Sequence, residues 1–133
     1  MKSRIWIERI PGPFASIYEK ATRMVIESYY GQIAEEVVLN LRSGTILDLG
    51  TGPGYLPIEI VKRSESIEVH GIDLSRKLID MARLNAFNAG VSDRLKFEKG
   101  NAAELPIDDN AYDMINFMCT FVKLFNAFGK PCR

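Results

Sequence analysis

The period of the hydrophobic positions changes several times along this chain, and the order of the changes predicts its elements. Residues Met1 to Pro13 mix charges with Ile5, Trp6, Ile7 and Ile10 and end in Pro11-Gly12-Pro13, an arm closed by a breaker. From Phe14 the apolar positions Ile17, Tyr18, Ala21, Met24 and Val25 recur at helical spacing, and after Gly31 a second set follows at Ile33, Val37, Val38 and Leu41. This spacing predicts two amphipathic helices. Ser43-Gly44 closes them, so residues 1–42 read as an N-terminal arm with helices and residues 43–133 as the main domain. Thr45-Ile46-Leu47-Asp48-Leu49 is then a short, nearly unbroken apolar run, as expected of a strand buried on both faces.

Beyond a glycine-rich loop, Leu56, Ile60 and Val61 return to helical spacing, and Ile67-Glu68-Val69-His70-Gly71-Ile72 reads as a second strand. Ser75 is suited to cap a helix whose apolar face runs through Leu78, Met81, Ala82, Ala86 and Ala89, with Gly90 as its left-handed stop. Leu95 and Phe97 alternate with Arg94, Lys96 and Glu98 in a third strand. Tyr112 to Met118 makes a fourth, after a loop containing Pro106, Asp108, Asp109 and Asn110. Strands alternating with helices imply an α/β fold, a parallel sheet with helices on both faces and right-handed crossovers.

Composition narrows the classes. The 133 residues, 47% hydrophobic and 26% charged, fit one soluble globular domain. Lys plus Arg equals Asp plus Glu at 17 each, so no global field draws the chain to nucleic acid or a membrane surface, and neither partner is expected. No apolar run approaches the ~20 residues of a membrane span, and the first residues lack the apolar core of a signal peptide. The expected compartment is the cytoplasm. Cys119 and Cys132, too few for a disulfide framework or a structural zinc site, read as free thiols.

The chemistry concentrates in Asp48-Leu49-Gly50-Thr51-Gly52-Pro53-Gly54. In a doubly wound sheet a ligand lies beyond the carboxyl ends of the strands, and a glycine loop at that edge lets it approach the backbone. Alone, such a loop also serves as a tight connection that binds nothing. Asp73 ends the second strand 23 residues after Gly50, where a carboxylate can accept from two ribose hydroxyls; its structural alternative is a cap for the helix near Ser75. Asp48, inside an apolar run, must be paired or sit at the crevice. The dinucleotide fingerprint Gly-x-Gly-x-x-Gly would require glycine at position 55, where Tyr55 stands.

Blander readings cover the other conspicuous residues. His70, the single histidine, lies within a strand and is expected to be structural. Tyr29-Tyr30 and the set Phe117, Phe121, Phe125 and Phe128 read as core packing. Arg76, Lys77 and Arg83 read as a solvated helix face, and Asp108-Asp109 as turn residues. No metal is expected.

These motifs resemble the class I S-adenosylmethionine-dependent methyltransferases, in particular the small-molecule branch that includes ubiquinone/menaquinone-type enzymes. The resemblance runs from about Thr45 to Phe117. Acidic-x-Gly-x-Gly-x-Gly is met by Asp48, Gly50, Gly52 and Gly54, the ribose carboxylate by Asp73 in Gly71-Ile72-Asp73-Leu74-Ser75, and the third motif by Gly100-Asn101-Ala102-Ala103-Glu104-Leu105-Pro106. The resemblance implies a Rossmann-like sheet in the order 3-2-1-4 and S-adenosylmethionine as cofactor, with S-adenosylhomocysteine as product. It implies that Asp48, Gly50, Thr51, Gly52 and Gly54 surround the methionine portion and that Asp73 holds the ribose. It further implies that Leu74 packs on the adenine and that Asn101, where the family more often has Asp, receives the exocyclic amine. The Ala102 N–H would face a ring nitrogen, and Asn116 and Phe117 would lie under the sulfonium and the amino group. Tyr18 and the arm before it would fold over the site as a lid.

The implied reaction is methyl transfer by in-line displacement to a small-molecule acceptor, with no catalytic triad and no assigned base. The family's sheet has seven strands, of which four are expected before Arg133. The fourth would be an apolar edge, covered by a second copy or a partner chain. A truncated product or a non-catalytic binding module is the alternative function, and an NAD-binding oxidoreductase fragment is a weaker one.

Overall fold

Four strands form: β1 Gly44–Leu49, β2 Ile67–Asp73, β3 Leu95–Lys99 and β4 Met114–Asn116. They belong to a computed structural model that describes residues 12–105 and 110–116, with backbone alone for residues 12–19 and 22. All pairings are parallel and the order is β3-β2-β1-β4, as expected. β1 pairs with β2 from Gly44↔Ile67 to Leu49↔Ile72, and with β4 from Ile46↔Met114 to Asp48↔Asn116. β1 and β2 each have a neighbour on both sides, and in β1, the strand with the unbroken apolar run, Ile46, Leu47, Asp48 and Leu49 are all buried.

Helices α1 Gly12–Asn40, α2 Tyr55–Arg63 and α3 Arg76–Asn88 complete the described fold. The crossovers through α2 and α3 step the same way across the sheet, so right-handedness puts both helices on one face. Residues of all three helices join Ile46, Ile67, Val69 and Phe97 in one core, α1 through Ala34, α2 through Ile60 and α3 through Ile79 and Ala82. On the opposite face a smaller cluster of Leu47, Leu49 and Ile72 is covered by Leu105 and Tyr112, from the β3–β4 connection. The fold class stands, an α/β Rossmann-like sheet, with the described helices on one face. The second is covered by turns among the described residues, because the return from β3 to β4 carries no described helix.

Three expectations need correction. The two N-terminal helices are one, because Gly31 lies inside α1 and not at a break. Glycine within a helix costs only about 1 kcal/mol relative to alanine. A Cβ at Gly31 would come within 2.8 Å of the Arg63 guanidinium, the end of a long side chain with room to shift. Arg63 in turn donates to the Glu59 carbonyl and carboxylate one turn back in α2, at 3.0 and 2.5 Å. On α3 the inward stripe is Ile79, Ala82 and Ala86; Met81 is 40% exposed. The expected stripe through Leu78 and Met81 was one residue early, about 100° around the helix. The caps hold as expected: Ser75 Oγ accepts from the Leu78 N–H at 3.2 Å, and Gly90 has φ 72°. Finally β4 begins at Met114, not Tyr112, because its pairing with β1 starts there, opposite Ile46.

Candidate functional site

At the carboxyl end of the sheet the chain leaves β1 through Gly50, Gly52 and Gly54, whose φ values are 75°, 57° and 80°. Three left-handed residues in five close to almost every side chain make this loop a glycine position by conformation. Gly54 is also held by contact, since a Cβ there would lie 2.9 Å from Phe97 and 3.0 Å from Ala82. The loop is tied to the end of β2: the Gly50 and Thr51 N–H groups both donate to the Ile72 carbonyl, at 2.8 and 3.0 Å, and the Gly52 N–H donates to Asp73 Oδ2 at 2.9 Å. Asn85 of α3 donates to the Pro53 carbonyl at 2.9 Å. These donors hold the loop itself. As Pro57 has no N–H, the first turn of α2 offers a ligand only the Tyr55 and Leu56 N–H groups.

Asp48 is 2% exposed and stands opposite Asn116 in the β1–β4 register. Its Oδ1 accepts from the Asn116 amide at 2.8 Å, while its Oδ2 is buried near the Thr51 hydroxyl, and neither of these two has a further partner. Burial pushes the Asp48 carboxyl up to about 6; the nearby Thr51 hydroxyl and the Asn116 amide oppose the shift, and the Asp73 charge adds to it. The sequence reading required this acid to be paired or to face the crevice, and it does both by halves.

Asp73 is different. Its Oδ2 accepts from Gly52 and its Oδ1 from the Ser75 N–H, each at 2.9 Å, so it braces both the glycine loop and the start of α3. The capping alternative is therefore realised in the structure. It leaves room for a ligand, because an ionised carboxylate has about four acceptor sites and two are used. Leu74 beside it is 67% exposed, an apolar side chain set out at the crevice. Gly100, whose N–H donates to the Asp73 carbonyl at 2.9 Å, brings the third motif to the same edge. There Asn101 and Ala102 are exposed on a turn in which Asn101 Oδ1 accepts from the Ala103 N–H at 3.0 Å.

Thus Asp48, Gly50, Thr51, Gly52, Gly54 and Asn116 converge at the end of β1, and Asp73, Leu74, Asn101 and Ala102 at the ends of β2 and β3. Phe117, Phe121, Phe125, Phe128, Cys119, Cys132, Asp108 and Asp109 lie outside the described residues, as do the arm before Gly12 and the Tyr18 side chain.

Two residues of the site were missed. Tyr30 and Tyr55 line a recess of about 20 Å³ together with Asp48, Gly50, Thr51 and Gly52, their ring centroids 5.9 Å apart. From the sequence alone Tyr30 reads as core, and Tyr55 only as the residue that breaks the dinucleotide fingerprint. The one available signal was position: Tyr55 follows the loop directly, and Tyr30 lies on the helix preceding β1. His70 is engaged on the opposite face, Nδ1 with the Tyr112 hydroxyl at 2.5 Å and Nε2 with Glu98 at 3.1 Å. Its structural reading fits that placement.

Residues 41–133 match the model of the methyltransferase domain family. The chain belongs to the S-adenosylmethionine-dependent methyltransferase family. It is 28% identical over 113 residues to a ubiquinone/menaquinone biosynthesis C-methyltransferase of Geobacter sp. (strain M21), covering 80% of this chain and 48% of that protein. A Methanococcus maripaludis structure described as an S-adenosyl-L-methionine-dependent methyltransferase superposes with TM-score 0.66 at 24% identity, over 86% of this chain and 55% of that one. An RNA methyltransferase from Salinibacter ruber, solved in complex with S-adenosyl-L-homocysteine, gives 0.57 at 23% identity, over 73% and 65%. These likenesses are to the fold. The methyltransferase chain spans less than half the length of the curated relatives it matches. Among the described residues no helix is long and apolar enough to cross a membrane.

Proposed function

We propose that this chain binds S-adenosylmethionine at the carboxyl end of its sheet and serves methyl transfer to a small-molecule acceptor. The observation that carries the reading is the buried, half-paired carboxylate of Asp48 beside a glycine loop braced by Asp73. A buried carboxylate at the wall of a recess suits a cationic group, and the unused acceptor sites of Asp73 suit ribose hydroxyls. Leu74, Asn101 and Ala102 lie where an adenine would extend from that ribose.

The cofactor supplies an activated methyl group on a sulfonium, so the chemistry asks the protein for alignment more than for proton transfer. Asp73 orients through hydrogen bonds, and the loop admits the ligand to backbone distance because its glycines carry no side chain. Asn116 holds Asp48 in place. The reading includes a cytoplasmic location, supported by cysteine usage too sparse for an oxidised framework.

Calorimetric titration with S-adenosylmethionine, S-adenosylhomocysteine and NAD tests the proposal. Heat is expected from the first two and not from the third; silence from both sulfur nucleosides overturns it. Incubation with a labelled methyl donor and an acceptor panel separates methyl transfer from cofactor binding alone, since only an enzyme transfers label.

A further inference from the structure

β3 has β2 on one side and, among the described residues, no strand on the other. The ladder fixes which of its backbone groups face that open side. The Gly100 N–H reaches the Asp73 carbonyl on β2, and backbone direction alternates along a strand, so Lys96 and Glu98 turn toward β2 while Leu95, Phe97 and Lys99 turn outward. Such an outward row is a template for another strand. Two of its groups are taken: the Leu95 N–H donates to the Ser92 carbonyl, and the Phe97 carbonyl accepts from Arg83 Nη2 at 2.7 Å. Arg83 reaches over from α3 with its side chain 48% exposed, and its other nitrogen stands 3.8 Å from Asp80. A cavity of about 280 Å³ opens here between α3 and β3, lined in part by Arg83, Ala86, Leu95 and Phe97. One flexible side chain, not the body of α3, therefore lies over the centre of the edge.

The strand is self-complementary about that centre. When two copies run antiparallel with Phe97 opposite Phe97, the outward residues meet at the hydrogen-bonded positions, Leu95 of each copy opposite Lys99 of the other. Lys96 of each copy then falls opposite Glu98 of the other, at the positions where facing Cα atoms come within about 4.5 Å. Unlike charges so placed attract, and the two-fold axis makes the pair twice. Within one chain the same two side chains lie 3.1 Å apart along the strand and remain 67% and 45% exposed, open to a second partner. Phe87, one turn beyond Arg83 on the same side of α3, is 74% exposed and adds apolar surface beside the edge.

We propose that β3 is a pairing edge for a second copy of this chain, antiparallel about Phe97, and that Arg83 guards it by holding the central carbonyl. The guard keeps the single chain closed, and its release lets the sheet continue from one copy into the next. This edge lies at the other end of the sheet from β4, the edge for which the sequence suggests a partner. It is also remote from the glycine loop, so the inference stands apart from the proposed function.

Sedimentation equilibrium over a concentration series tests this. Arg83→Ala should dimerise at least about tenfold more tightly than the unaltered chain. In the Arg83→Ala background, Lys96→Glu and Glu98→Lys each set like charges opposite one another and should reverse that gain. An equimolar mixture of the two reversed chains brings unlike charges together again and should recover it. An Arg83→Ala chain no tighter than its parent, a dimer indifferent to both reversals, or a mixture no tighter than its components overturns the proposal. Should these variants not fold, amide hydrogen exchange on the unaltered chain reads the same contact. The outward Phe97 N–H should exchange at least about twofold more slowly at about 1 mM protein than at about 10 µM, and equal rates overturn the pairing.

Discussion

Two carboxylates end neighbouring strands of this sheet, and they are held in opposite ways. Asp73 on β2 is half-buried, and each of its oxygens accepts a backbone N–H, from Gly52 and from Ser75. Asp48 on β1 is almost fully buried, with one oxygen on the Asn116 amide and the other with only the Thr51 hydroxyl near it. The first is a brace that fixes the loop before a ligand arrives. The second is an electrostatic debt that the fold carries, which a cation at the recess would relieve. Preorganisation and ligand attraction are thus divided between two acids that read alike in the sequence.

The division can be broken first at the brace. Asp73→Ala orphans two N–H groups and removes the ribose acceptor, so affinity for S-adenosylhomocysteine should fall by about a thousandfold, roughly 4 kcal/mol. Titration calorimetry reads this, and a variant that binds as the parent would place the ribose elsewhere.

Next comes the debt. The Asp48 pKa in the folded chain is about 6, above the ordinary 3.8, so the folded state holds this proton more tightly than the unfolded one. Its stabilising effect is complete below pH ~4 and is lost as pH rises to about 6, a total of about 3 kcal/mol. Asp48→Asn stays neutral throughout. It should remove that slope and exceed the parent in stability at pH 7.5 by up to about 3 kcal/mol, while losing affinity for S-adenosylhomocysteine. Urea unfolding between pH 4 and 8 decides; equal slopes in parent and variant would assign the titration to another group.

The smallest effect sharpens the comparison. Asn116→Ala removes the amide donor to Asp48, costing about 1 kcal/mol and raising the Asp48 pKa further. The upper end of the pH slope should move to higher pH. If it stays in place, Asn116 does not stabilise the ionised form.

Much of this was legible in the sequence, for identifiable reasons. The β1–β2–β3 pattern shows because β1 is a continuous apolar run and β2 and β3 alternate apolar with polar residues, and α3 lies where Ser75 and Gly90 put its caps. Asp48, Asp73 and the glycines stand at fixed spacing on elements whose ends must meet at one edge. The continuity of α1 was not legible, because Gly31 reads as a breaker until Arg63, distant in sequence, is found against it. Nor was the use of the loop's N–H groups, which go to Ile72 and Asp73 and not outward. Tyr30 was hidden because its partners at Asp48 and Tyr55 are tertiary neighbours, and nothing in its local spacing separates a wall of a recess from an ordinary core ring.

The unbroken run of α1 has a mechanical consequence. Its buried anchor begins near Gly31 and Ala34, while Met24 and Val25 are 63% and 69% exposed. From Tyr30 back to Gly12 the helix extends roughly 27 Å, so a tilt of about 5° at the tyrosine displaces the far end by roughly 2 Å. Any small tilt of α1 where it meets the recess is thus an ångström-scale displacement at its far end.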